Sequence, residues 1–117
     1  MINNGIKNEA NFDNFIALDI RTGTIIKVED FPKAKKPAYK LKIDFGELGI
    51  KCSSAQITKL YKKEDLIGMQ VIAIVNFPKK QIANFFSECL VLGAIKYDGE
   101  VVLLTTKEKC DNGISIG

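Results

Sequence analysis

A chain of 117 residues, 46% apolar and 26% charged, fits one globular domain built around one core. It contains no histidine, which excludes Ser-His-Asp and Cys-His nucleophile systems and most transition-metal centres. The net charge of +3 hides an uneven distribution: residues 31–63 carry nine lysines and two acids, a local +7, against −4 for the rest.

The other composition signals point the same way. The cysteines, Cys52, Cys89 and Cys110, are odd in number, widely spaced and without a C-x-x-C, so reduced thiols are expected rather than a disulfide framework or a zinc site. Neither G-x-x-x-x-G-K-[ST] nor G-x-G-x-x-G is present. No enzyme, catalytic residue, cofactor or metal is expected. The apolar run at 71–75, VIAIV, falls far short of the roughly 20 residues of a membrane span. The first residues lack the basic start and apolar centre of a signal peptide. A cytoplasmic protein without membrane insertion is therefore expected. A basic half on a near-neutral chain suits an anionic partner bound on one side. A general lysine bias, with Lys supplying sixteen of seventeen basic residues, would raise the same count without a function.

In chain order, residues 1–11 are polar and without periodicity, and read as a frayed or disordered extension to a domain spanning 12–117. Phe12, Phe15, Ile16 and Leu18 suit one face of a short helix capped by Asn11 or Asp13. Such a helix is too short to stand alone and must dock on the domain or on a partner subunit. From Asp19 the pattern turns to strand, with Gly23 marking a bulge or sharp bend. FPKAKKPA, at 31–38, is a loop between two prolines. YKLKIDF alternates, Tyr39, Leu41, Ile43 and Phe45 facing the core and Lys40, Lys42 and Asp44 facing water. GELG makes a turn, and GIKCSSA a third strand. QITKLYKKEDLIG holds a helical turn or two with Gly68 as its stop.

MQVIAIVNF reads as a strand buried on both faces. NFPKKQIANFFSE, at 76–88, follows as an exposed loop with a small helical turn, Ile82, Phe85 and Phe86 being spaced for one side of it. CLVLGAI is another strand, and Asp98-Gly99 a hairpin signal before EVVLLT. Short strands with one small helix between the third and fourth predict an all-β fold, a five-stranded OB barrel. An SH3-like barrel, which lacks that inserted helix, is the alternative.

DIRTGTIIKVEDFPKAKKPAYKLKIDFG closely resembles the opening of the tRNA-binding domain family. That family includes the domain appended to some methionyl- and tyrosyl-tRNA synthetases, the EMAP II cytokine domain and the free-standing CsaA proteins. Asp19, Ile20, Arg21, Gly23 and Ile25 meet its D-[IVL]-R-x-G-x-[IV] pattern. SSAQITKLYKKEDLIGMQVIAIVNFPKKQIANFFSECLVLG is similar to the CsaA branch. The resemblance implies an OB-fold homodimer that binds tRNA, with dimerisation extensions at the N-terminal helix, 12–18, and the C-terminal region, 103–117. For the CsaA branch it also implies a chaperone of unfolded or presecretory polypeptides linked to the export machinery. The family's N-x-x-P-[RK]-K-[ML]-x-G-x-x-S-x-G-M region is matched at Asn76, Pro78, Lys79, Lys80, Ser87 and Glu88. It departs where the family's glycine gives way to Asn84-Phe85-Phe86, and where its Gly-Met gives way to Cys89-Leu90.

An OB barrel binds nucleic acid across its second and third strands and the adjoining loops. The candidate RNA contacts are Lys40 and Lys42 on the wet strand face, Lys33, Lys35 and Lys36 on the first loop, and Lys79 and Lys80 beyond Pro78. Arg21, Ser53 and Ser87 join them. Arg21 is the sole arginine, and its planar fork either pairs with a carboxylate at the barrel end or reaches the ligand. Phe31 and Tyr39 are the aromatics able to stack on bases, with the core as the expected place for Tyr39. Phe77, Pro78, Phe85 and Phe86 are the candidate peptide contacts. At least one of Phe85 and Phe86 is expected in the core, and an exposed one would form an apolar patch with Phe77 and Pro78.

Overall fold

A computed structural model describes residues 5–117. The elements are α1 (Phe12–Ile16), β1 (Ile20–Asp30), β2 (Tyr39–Asp44), β3 (Ile50–Ala55), α2 (Lys63–Leu66), β4 (Gln70–Ile74), β5 (Lys80–Ile82), β6 (Phe85–Ser87), β7 (Leu90–Val91), β8 (Gly93–Ile95) and β9 (Val101–Leu103). Five of the strands form one antiparallel sheet in the order β3-β2-β1-β4-β7. It curls into a nearly closed barrel, with α2 between its third and fourth strands. This is the predicted all-β OB architecture, helix included. The first residues of the expected 1–11 extension lie outside the described residues, and 5–11 are exposed coil.

Alternation dictates the core. Tyr39, Leu41, Ile43 and Phe45 are all buried, and they pack with Ile25, Ile57, Leu66, Val71, Ala73, Cys89 and Leu103. β4 is buried at all but one position, as its continuous apolar run predicts. Each large aliphatic or aromatic side chain so buried contributes about 1.5–3 kcal/mol.

Two hydrogen-bonded seams close the barrel where the ladder does not. At one, the Glu88 N–H donates to the Cys52 carbonyl at 2.7 Å, and the Cys52 N–H donates to Glu88 Oε1 at 2.9 Å. The buried Ser53 hydroxyl donates to the Cys89 carbonyl at 2.8 Å. At the other seam the C-terminal segment is strapped along β1. Buried Thr22 donates to the Asp111 carbonyl and accepts from the Ile114 N–H, at 2.8 and 2.9 Å. Gln70 donates to the Cys110 carbonyl at 2.7 Å and accepts from Thr106 at 2.9 Å.

Three local expectations are corrected. The bulge in β1 falls between Ile25 and Lys27, not at Gly23. Gly23 has a packing reason instead: a Cβ there would lie 2.7 Å from both Ile43 Cγ2 and Phe45 Cε1. CLVLGAI is not one strand. It breaks at Leu92, so that β7 pairs with β4 while β8 turns away to form a hairpin with β9 around Asp98-Gly99. The 76–88 stretch contains no helical turn, because β5 and β6 pair as a β-hairpin with Ile82 opposite Phe85. Its two-residue turn is Ala83-Asn84, with Ala83 held at φ +54°, a conformation usually given to glycine.

α1 is capped as expected, the Asn11 side chain accepting from the Asn14 N–H and Asn14 answering in a capping box. It buries none of its residues, and Phe12 and Ile16 are 71% and 60% exposed.

Gly23→Ala is expected to force Phe45 or Ile43 off its place, destabilising the fold by roughly 1–3 kcal/mol. Chemical denaturation should show a lower midpoint at an unchanged slope.

Candidate nucleic-acid interface

The register of the first three strands builds the outer face. The bulge at Ile26 resets the alternation of β1, so Ile25 faces the core and Lys27 and Glu29 face outward. Lys27 lies opposite Lys42, which lies opposite Cys52; Glu29 lies opposite Lys40, which lies opposite Ser54. Facing lysines repel, and a directly opposed like-charge pair costs a sheet stability. Glu29 relieves Lys27 at 3.6 Å. Lys42 is exposed and has no carboxylate partner among the described residues.

Two loops meet over this face. Phe31 begins the 31–38 loop and is buried, and its ring meets that of Phe85 on β6 edge-on, with centroids 5.4 Å apart. The Lys40 ammonium lies 5.6 Å from the Phe31 centroid and 5.9 Å from that of Phe85, within reach of a cation–π attraction to both rings. Successive residues of a strand face opposite ways, so Phe85 turns to the barrel and Phe86 away from it. Phe86 is 53% exposed, which settles the choice left open between the two. Phe31 is sealed under this contact and offers no open ring for stacking.

The remaining candidates divide. Lys33, Lys35, Lys36, Lys79 and Lys80 are exposed, as are Phe77 and Pro78. Lys79 approaches Glu88 at 4.0 Å. Ser53 is a correction: its register opposite Leu41 turns it to the interior, where its hydroxyl is spent on the Cys89 carbonyl. Ser87 is half-buried, and its hydroxyl points at the same carbonyl, 3.3 Å away. Arg21 takes the carboxylate option. Its Nε donates to Asp19 at 2.6 Å and its Nη1 to the Gly113 carbonyl at 3.0 Å, so the fork ties the C-terminal strap to β1. It lies eight residues along β1 from Glu29, away from the lysine rows.

Sequence reasoning missed Lys27 and Glu29, and it matched Glu88 to the family motif without giving it a role. The first two carry the alternation signal, but the bulge hides it by shifting the parity in mid-strand. Nothing local signals the pairing of Glu88, because its partner Cys52 lies on another strand. At this seam burial pushes the Cys89 thiol up to about 11, so it stays uncharged through the neutral range. Burial, and then the nearby Glu88, raises Cys52 too.

Comparison with known proteins bears on this geometry. Residues 20–115 match the family described as a tRNA binding domain. The chaperone CsaA of Bacillus anthracis is 54% identical and superposes with a TM-score of 0.90, over 93% of this chain and 99% of that one. CsaA of Picrophilus torridus is 55% identical with a TM-score of 0.88, over 93% and 100%. The methionine–tRNA ligase of Parabacteroides distasonis is 32% identical over 95% of this chain. The chain spans only 16% of that ligase's length, and 13% of the Porphyromonas gingivalis one. The match covers most of the chain and the whole barrel: the protein belongs to the tRNA-binding domain family, in its CsaA branch.

Proposed function

We propose that the protein is a non-catalytic, cytoplasmic tRNA-binding homodimer whose working unit is 12–117. The RNA lies across the outer face of β1, β2 and β3, between the 31–38 loop and the β5–β6 hairpin. The observation that carries this reading is the pairing of Lys27 with Lys42 at the centre of that face. It is flanked by Lys33, Lys35, Lys36 and Lys80, all exposed and without a carboxylate partner among the described residues. Phosphate oxygens supply the negative charge that this arrangement lacks. Lys40 acts differently from its neighbours, because its ammonium is committed to two rings and braces the loops. Arg21 and Ser53 support the barrel rather than touch the RNA.

A second reading has its own observation. Phe86 and Phe77 are 53% and 43% exposed, next to an exposed Pro78. The CsaA relatives are described as chaperones. These side chains are a fitting contact for an unfolded or presecretory polypeptide on its way to export machinery. The homodimer rests on α1, which offers Phe12 and Ile16 to solvent and is tied to the barrel at its C-cap, where Asn76 donates to the Ala17 carbonyl at 2.8 Å. A second copy would cover that face.

Filter binding of tRNA at increasing salt should give an affinity that falls linearly on logarithmic axes. Lys42→Ala should reduce that slope by about 0.7–0.9 and weaken all tRNAs alike. Absent or salt-insensitive binding would overturn the RNA reading. On peptide arrays, Phe86→Ser should lose unfolded-polypeptide binding while retaining tRNA; unchanged peptide binding would remove the second reading. Light scattering should give twice the 13.0 kDa chain mass, and a Phe12→Ser, Ile16→Ser double variant should run as a folded monomer.

A further inference from the structure

On the far side of the 31–38 loop, a cleft of about 310 Å³ opens between that loop, the segment after β3 and the β8–β9 turn. Pro37, Ile57, Leu60 and Val101 give it apolar walls, and Lys36 and Lys59 also line it. Asp98 and Glu100 lie at the same place, but both carboxylates are answered by Lys96, at 4.0 and 3.8 Å. Asp98 also accepts from the Glu100 N–H at 3.0 Å. Lys36 and Lys59 have no carboxylate within salt-bridge distance among the described residues, so the charge left unanswered here is positive.

Beside the cleft, Ile95, Lys96, Tyr97 and Asp98 form a shallower concavity, with Asp98 lining both. Tyr97 is 85% exposed, the most exposed aromatic ring among the described residues. The turn that carries it is fixed, the Lys96 N–H donating to the Glu100 carbonyl at 2.8 Å and the Gly99 N–H to the Lys96 carbonyl at 2.9 Å. An open ring on a fixed turn, beside unpaired ammonium groups, is the combination that holds single-stranded nucleic acid. The cleft's volume is at the lower end of the roughly 300–1,000 Å³ of small-ligand sites, a size for one nucleotide.

We propose that this cleft and Tyr97 form a second RNA subsite. One unstacked base enters the cleft, its neighbour stacks on Tyr97, and the phosphates between them meet Lys36 and Lys59. The subsite rests on the RNA reading above and extends it, since Lys36 belongs to the loop whose Lys33 and Lys35 rim the lysine face. The bound strand thus passes over that loop and down its far side.

The test is fluorescence anisotropy with tRNA and with a short single-stranded RNA of mixed sequence, at several salt concentrations. Tyr97 packs on no core residue, so Tyr97→Ala should keep the wild-type thermal midpoint. It should weaken both RNAs about 10-fold with an unchanged salt slope, as loss of a stacked base does. A Lys36→Ala, Lys59→Ala double variant should lower the slope by about 1.4, the sum for two single-strand phosphates. Wild-type affinity in Tyr97→Ala, alongside weakened binding in Lys42→Ala, would overturn the subsite and leave the lysine face standing. No RNA binding by the wild-type chain would overturn both. Loss of unfolded-polypeptide binding in Tyr97→Ala, with tRNA affinity retained, would assign the cleft to protein and overturn its role in RNA.

Discussion

The short seam between Cys52-Ser53 and Glu88-Cys89 is what makes a barrel out of this sheet. Without it β3 and β7 would be two free edges, each with unpaired backbone groups. The reciprocal Cys52–Glu88 bonds and the Ser53 hydroxyl bond use those groups where the strands are too short to form a ladder. The seam also fixes the end of the β5–β6 hairpin, because Glu88 directly follows Ser87. Everything the hairpin does over the outer face depends on that anchorage. A nearly buried thiol and a buried hydroxyl at this point are therefore structural, although Ser53 beside lysines looks like surface chemistry in the sequence.

The outer face shows how a barrel can hold unpaired charge. Its lysines stand on strands whose opposite side is packed with Leu41, Ile43 and Phe45, so the backbone cannot yield to their repulsion. Lys40 is stabilised by two aromatic faces rather than by a carboxylate, which keeps positive potential in the groove while ordering the loops around it. The Phe31–Phe85 contact spans from the first loop to the hairpin and makes one continuous rim of them. Phe86, on the hairpin's other face, is left to solvent by the same pairing. A basic surface and an apolar one thus lie back to back on a single hairpin.

The strap formed by the C-terminal segment accounts for the polar residues that the core would otherwise reject. Thr22 and Gln70 are buried, yet no buried side-chain nitrogen or oxygen lacks a partner among the described residues. Their partners come from 106–114, so the barrel and the strap fold as one cooperative unit. Arg21 belongs to this arrangement. Its fork geometry suits a carboxylate and a carbonyl together, which a lysine would not reproduce.

By itself the sequence determined the first four barrel strands, the helix between the third and fourth, and the core. Period-2 alternation in YKLKIDF, the apolar run of VIAIV and the Asp98-Gly99 turn are local signals, because side chains alternate wherever a strand forms. The D-[IVL]-R-x-G-x-[IV] pattern carried the family in the same way. Tertiary structure alone decided what depends on partners distant in the chain. Ser53 faces inward because Leu41 is its neighbour, Arg21 is occupied because the strap returns to it, and Gly23 is needed because Phe45 crosses it. It also decided between Phe85 and Phe86. Adjacent identical residues have identical propensities, and only the pairing of Ala83-Asn84 as a turn, with no glycine to announce it, sends one ring to Phe31 and the other to water.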